Sequence, residues 1–212
     1  MYNILCYGDS NTWGVNPEDN FSRVSYKDRW TQIMKRELGE DYCVFEEGLP
    51  GRTTVFEDPF GYGRHGEKAI DISLYTHNPL DVLVIMLGTN DMKDIYNASA
   101  EDSACGMERV VIRAKNLLKQ LNSENTRILV VSPIHVGVSD SGNWFYGFSS
   151  KSIEKSKQLA RYYKEVSVRQ SCEFMDASKY ASPGGYDGIH IANADNEALG
   201  KAFAQKIRTM IS

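Results

Sequence analysis

Apolar positions along this chain follow two rhythms. Short runs at Tyr2–Tyr7, Tyr42–Phe45, Val82–Leu87, Ile128–Val131 and Glu173–Met175 predict five strands. The Val82–Leu87 run is apolar at every position, as expected of a central parallel strand covered on both faces. Between these runs the apolar residues recur at helical spacing. Trp30, Ile33, Met34 and Leu38 mark one face of a helix over 26–38, which Gly39 stops. Ile70 and Leu74 mark a second helix over 67–77, with Pro79 just beyond it. Ser99 is the expected N-cap of a long helix through Leu121, with Val110, Val111, Ala114, Leu117 and Leu118 in its stripe. Helices over 150–168 and 194–211 complete the pattern. Strands separated by helices imply βαβ units. The expected fold is therefore α/β, a three-layer α/β/α sandwich with a five-stranded parallel sheet.

Length and composition narrow the class. The 212 residues suggest a single domain spanning 1–212. At 42% hydrophobic and 25% charged, the chain reads as an ordinary globular protein. A net charge of −4 without a long basic run argues against a nucleic-acid partner. No window approaches the apolar length of a membrane span, and the N-terminal stretch lacks the basic and apolar regions of a signal peptide. Cys6, Cys43, Cys105 and Cys172 are scattered, without C-x-x-C spacing. They read as reduced, buried thiols of a cytoplasmic protein, so the sequons at Asn20 and Asn97 carry no weight.

In open α/β sheets, ligands bind beyond the carboxyl ends of the strands. Four clusters of reactive residue types fall there or in a late loop: Gly8-Asp9-Ser10-Asn11-Thr12, Gly48-Leu49-Pro50-Gly51-Arg52-Thr53, Gly88-Thr89-Asn90-Asp91 and Asp187-Gly188-Ile189-His190. Together they hold what acyl transfer needs. A serine hydroxyl is a poor nucleophile without a base in reach, and Ser10 stands on a tight strand-to-helix turn where Gly8 relieves crowding. Of the four histidines, only His190 has a carboxylate three residues upstream in a glycine-containing loop. Asp187 can curl back onto one imidazole nitrogen while the other faces Ser10. Candidate donors to an oxyanion are the N–H of Ser10, the N–H of Gly51 and the side-chain amide of Asn90.

This set resembles the SGNH hydrolase (GDSL-type esterase) superfamily, in which a Ser, a Gly, an Asn and a His mark four sequence blocks. The resemblance implies a flavodoxin-like SGNH fold. It assigns Ser10 as nucleophile and first oxyanion donor, Gly51 and Asn90 as the other donors, His190 as base and Asp187 as its orienter. The stretches E-E-G-L-P-G-R-T-T, M-L-G-T-N-D and D-G-I-H are similar to a branch of small bacterial arylesterases with acyltransferase activity. That similarity implies short acyl groups, a small-molecule ester substrate, no cofactor or metal, and a homo-oligomer. One departure is Asn11, where the eponymous motif has Leu, which weakens an inference toward long-chain lipids.

Other residues admit two readings. Ser10 could simply cap the turn after the first strand, and Gly51 could be an ordinary turn glycine. Asp9 and Asp91 are expected to bind backbone N–H groups and hold their loops. Arg52 either pairs structurally or greets an acidic substrate. The 136–149 segment holds Trp144, Phe145, Tyr146 and Phe148; it either walls or covers the acyl site, with Trp144 and Phe145 as the candidate pocket residues, or tucks its aromatics against its own domain or into a subunit interface. Trp13 and Ile189 are further candidate pocket residues. Gly61–Gly66 spells G-x-G-x-x-G but follows a proline-containing stretch that makes a poor strand. The alternatives carried forward are a carbohydrate acetylesterase and a non-catalytic nucleotide-binding α/β protein.

Overall fold

The computed structural model describes residues 1–19 and 22–211. In chain order the main elements are β1 (Tyr2–Gly8), α1 (Ser10–Trp13), α2 (Trp30–Leu38), β2 (Tyr42–Gly48), α3 (Gly66–His77), β3 (Val82–Met86), α4 (Ala100–Gln120), β4 (Arg127–Ser132), α5 (Ser150–Arg169), β5 (Glu173–Asp176) and α6 (Asn196–Ile211). The five strands form one parallel sheet in the order β2-β1-β3-β4-β5. This is the flavodoxin-like order, in which the strand sequence reverses direction between β1 and β3.

Side-chain alternation splits the interior into two cores. Leu5 and Tyr7 of β1, Leu83 and Ile85 of β3, and Val130 of β4 face α3, α4 and α5. Ile4 and Cys6, Val82, Val84 and Met86, with Leu129 and Val131, face α2 and α6. Strands buried on both faces read as continuous apolar runs because neither face meets water. On the second face, Trp30 of α2 stacks on Phe203 of α6 with ring centroids 4.2 Å apart. The α4 terminus is fixed as its sequence suggests: Ser99 Oγ accepts the Asp102 N–H at 3.0 Å, and Asp102 accepts the Ser99 N–H at 2.8 Å.

Four expectations need correction. The helix expected over 26–38 is interrupted. Tyr26–Asp28 is a separate 3-10 turn and Arg29 is extended, with its guanidinium turned inward to Val24 O and Glu46. The helix restarts at Trp30, whose N–H donates to Asn196 Oδ1 at 3.1 Å. The last helix, expected from 194, begins at Asn196 after a 3-10 turn. The second strand runs past Phe45 to Gly48, because tertiary partners satisfy Glu46 and Glu47. Arg29 and Arg23 pair with Glu46, while Ser73 and His77 bind Glu47 at 3.1 and 2.8 Å. Finally, only Cys6 is fully buried; Cys43 and Cys172 are half-buried, and Cys105 lies exposed on the outer side of α4. Of the two sequons, the one at Asn20 lies outside the described residues. No helix among the described residues is long and apolar enough to cross a membrane.

Phe203→Ala would remove one half of the Trp30 stack and leave a cavity between α6 and α2. The expected cost is about 3–5 kcal/mol of folding stability, measurable as a lowered midpoint in urea unfolding at unchanged slope.

Candidate active site

All four sequence clusters meet at the carboxyl edge of the sheet, around the switch between β1 and β3. The tight turn after β1 is organised by Asp9, which caps α1 by accepting the Asn11 N–H at 2.9 Å. The turn is close-packed: a Cβ on Gly8 would stand 2.0 Å from Thr12 Oγ1. Ser10 follows directly, and its Oγ lies 2.9 Å from His190 Nε2, across 180 positions of sequence.

The other imidazole nitrogen, Nδ1, lies 2.5 Å from Asp187 Oδ2. Asp187 Oδ1 accepts the N–H groups of Ile189 and His190 at 2.8 and 3.0 Å. One carboxylate thus fixes both the ring and the loop that carries it. Its side chain is fully buried, and that of His190 is 8% exposed. Burial pushes the Asp187 carboxyl up, but the hydrogen bonds and charge of His190, with two backbone N–H groups, bring it below the usual range. A carboxylate held down in this way contributes stability that is lost as pH falls through the folded-state value.

Two further groups converge from β2 and β3. Leu49-Pro50-Gly51-Arg52 makes a tight turn closed by the Arg52 N–H on Leu49 O at 3.0 Å. Gly51 has φ +86°, the backbone a type II turn requires after Pro50. Asn90 follows Thr89 beyond β3, and its amide donates to Arg52 O at 3.1 Å. Arg52 itself is structural: it donates to the carbonyls of Gly8 and Glu47 at 2.8 and 2.5 Å and lies over the Tyr7 ring. Asp91 accepts from the Thr54 N–H at 2.9 Å and from the Thr54 and Ser103 hydroxyls, both at 2.6 Å. It ties the Gly51 loop, the Asn90 turn and α4 into one unit.

Ser10, Gly51, Asn90 and His190 line one cavity of 280 Å³. Trp13, Val15, Pro50, Tyr146, Phe148 and Ile189 supply its apolar wall, and Arg64 and Lys93 its charged side. Trp13 and Ile189 therefore stand where the sequence suggested. Trp144 and Phe145 do not line this cavity; Phe145 stacks on Tyr186 instead, and the neighbouring Tyr146 and Phe148 take the wall. Positive φ at Tyr146 and Gly147 turns the segment between them, so which aromatic faces inward cannot be counted along the chain. The Gly61–Gly66 motif begins no strand-to-helix phosphate loop. It places Arg64, paired with Asp58 at 2.6 Å, at the cavity.

Sequence reading missed the importance of Asn11. Its Oδ1 accepts the Ile191 N–H at 2.9 Å, and its Nδ2 points to Ile189 O at 3.5 Å. The side chain grips the backbone on both sides of His190. It joins the Ser10 turn to the His190 loop, a role that the departure from the eponymous motif only hinted at.

A hydroxyl, an imidazole and a carboxylate stand in line at the edge of this sheet, an arrangement chemically suited to acyl transfer from esters. The model of the GDSL-like lipase/acylhydrolase family matches residues 6–197, and the chain belongs to that family. The M. smegmatis aryl esterase is similar at 35% identity, with 99% of each chain covered and a TM-score of 0.91. Est24, a carbohydrate acetylesterase from Sinorhizobium meliloti, is 35% identical, with 99% of this chain and 100% of that chain covered, again at a TM-score of 0.91. The lipase/acylhydrolase from Enterococcus faecalis shares only the fold, at 18% identity and a TM-score of 0.66 over 99% of this chain and 97% of that one. No curated protein sequence matches. The chain is thus a carboxylic ester hydrolase of the SGNH superfamily.

Two predictions follow from the supporting residues. Asn11→Ala should lower kcat on p-nitrophenyl acetate by about 10²-fold through misplacement of His190, with KM little changed and cooperative unfolding retained. Burial raises the Asp9 carboxyl to about 6, against the hydrogen bond from Asn11 and the charge of His190. The folded state then holds this proton more tightly than the unfolded chain, whose Asp titrates near ~3.9. Stability from this group is present below that value and is lost as pH rises through the folded value. Urea unfolding at several pH values should show this loss in the wild type and not in Asp9→Asn.

Proposed function

We propose that the chain acts as one domain that hydrolyses short-chain, acetyl-type esters through a Ser10–His190–Asp187 triad and an acyl-enzyme. The observation that carries this reading is the continuous hydrogen-bonded line from Ser10 Oγ through both imidazole nitrogens to Asp187. His190 takes the Ser10 proton as Oγ attacks the ester carbonyl. The resulting oxyanion is held by the N–H groups of Ser10 and Gly51 and by the Asn90 amide. The tetrahedral intermediate collapses, and the alcohol leaves with the proton from His190. Water then attacks the acyl-enzyme, with His190 again as base, and Ser10 is released. Asp187 stays ionised and holds the ring orientation.

The apolar wall favours a small acyl group, and the 280 Å³ volume leaves little room for a long one. Apolar walls also let an alcohol compete with water for the acyl-enzyme, so acyl transfer accompanies hydrolysis. Product analysis with added alcohol tests this. A carbohydrate acetyl ester is the second reading, favoured by the similarity to Est24. Relative turnover of an aryl acetate and an acetylated sugar separates the two. Exposed Phe60, Tyr62 and Trp144 provide apolar surface for a homo-oligomer, which sedimentation would detect. The four free thiols fit the cytoplasm.

The direct test is p-nitrophenyl acetate hydrolysis by the wild type and Ser10→Ala. The variant should lose about 10⁴-fold or more in kcat, and an unchanged rate would remove Ser10 from the mechanism. In a series of acyl lengths, rates should fall as the chain grows. A preference for long acyl groups would contradict the short-chain reading.

A further inference from the structure

The cavity that holds Ser10 has a charged side that the hydrolytic steps do not use. Arg64 and Lys93 both line it. Their electrostatic situations differ. Arg64 Nη1 is paired with Asp58 Oδ2 at 2.6 Å. Asp58 is committed to that pair and to the Phe60 N–H, which it accepts at 2.8 Å. Lys93 has no such partner: among the described residues, no carboxylate lies within ion-pairing distance of its ammonium and no acceptor hydrogen-bonds it. Its Nζ instead stands over the Phe148 ring, 5.8 Å from the centroid, and Phe148 is itself part of the cavity wall. The other lining residues are apolar or, like Ser10, Asn90 and His190, already placed in the hydrolytic site. None carries a carboxylate. Asp9 and Asp187 lie buried behind the site.

A half-buried ammonium without an anion is partly stripped of water and gains little in return. Burial and the like charge of Arg64 lower the Lys93 ammonium below the ordinary lysine range, and Asp58, Asp9 and Asp91, none of them paired with it, only partly oppose this. A ligand anion would restore the missing interaction as a charge-assisted hydrogen bond.

We propose that Lys93 makes this cavity selective for esters that carry a carboxylate beyond the reacting carbonyl. The inference rests on the reading of the cavity as the ester site and adds the charge of the substrate to it. The carboxylate belongs either to the acyl group or to the leaving alcohol, and two substrate pairs distinguish these sources. Mono-p-nitrophenyl glutarate is compared with p-nitrophenyl butyrate, and para-acetoxybenzoate with para-acetoxybenzamide.

In at least one pair, wild-type kcat/KM should favour the charged ester by about ten-fold over its neutral counterpart, the usual reach of one charge-assisted hydrogen bond. In Lys93→Met that preference should disappear, in Lys93→Arg it should persist, and in Lys93→Glu it should reverse. Because preferences are compared between variants on the same esters, differences in intrinsic reactivity cancel. Turnover of the neutral esters reports that each variant is folded. The proposal is overturned if, in both pairs, the charged-over-neutral preference of the wild type is unchanged in Lys93→Met and Lys93→Glu. Failure of the underlying reading looks different: the wild type then turns over neither p-nitrophenyl acetate nor any of the four esters.

Discussion

The chain must hold a loop near its C-terminus against a turn near its N-terminus, and the chemistry depends on that contact. The Ser10–His190 hydrogen bond alone could not maintain it, because an exchangeable hydroxyl–imidazole bond contributes only about 0.5–1.5 kcal/mol. The contact is instead over-determined. Asp187 grips both the imidazole and the backbone that carries it. Asn11 holds the residues on either side of His190. The Trp30 indole donates to Asn11 O at 3.0 Å, so the clamp is anchored in the core between α2 and α6. Rigid packing on that face thereby fixes a distance at the sheet edge.

The same logic applies at the oxyanion side. Arg52 collects the carbonyls at the ends of β1 and β2, and Asn90 donates to Arg52 O. Asp91 then fastens this turn to Thr54 and α4. Three strand ends are therefore laced together by buried polar groups. Such networks specify one arrangement because a single missing partner leaves a costly buried group. The parallel register places the three ends level, with Gly8 opposite Gly48 on one side and Met86 on the other.

Much of this was legible in the sequence, for physical reasons that can be named. Strands covered on both faces must be continuously apolar, so β1, β3 and β4 announced themselves, and the Ser99 cap marked the start of α4. The motif residues were legible because acyl transfer limits which side chains can serve. What stayed hidden depended on distant partners. Glu46 and Glu47 look like strand breakers until Arg29, Ser73 and His77 are folded beside them. Asn11 looks like a variable position until Ile191 arrives from across the chain. The sequence places four aromatics in the 136–149 segment, but which of them face the cavity depends on the left-handed backbone at Tyr146 and Gly147, which breaks any simple periodicity and puts Tyr146 and Phe148 there rather than Trp144 and Phe145.

The two carboxylates of β2 have one more effect, on what the molecule avoids. β2 is an outer strand of the sheet, and its free border offers unpaired backbone groups. Adjacent strand residues point to opposite faces, so Glu46 and Glu47 put one acid on each side of that border. A foreign strand annealing there would have to settle against both acids and disturb the side chains that bind them. The opposite border, β5, is only four residues long, too short a template for stable addition. Both margins of the sheet thus discourage polymerisation.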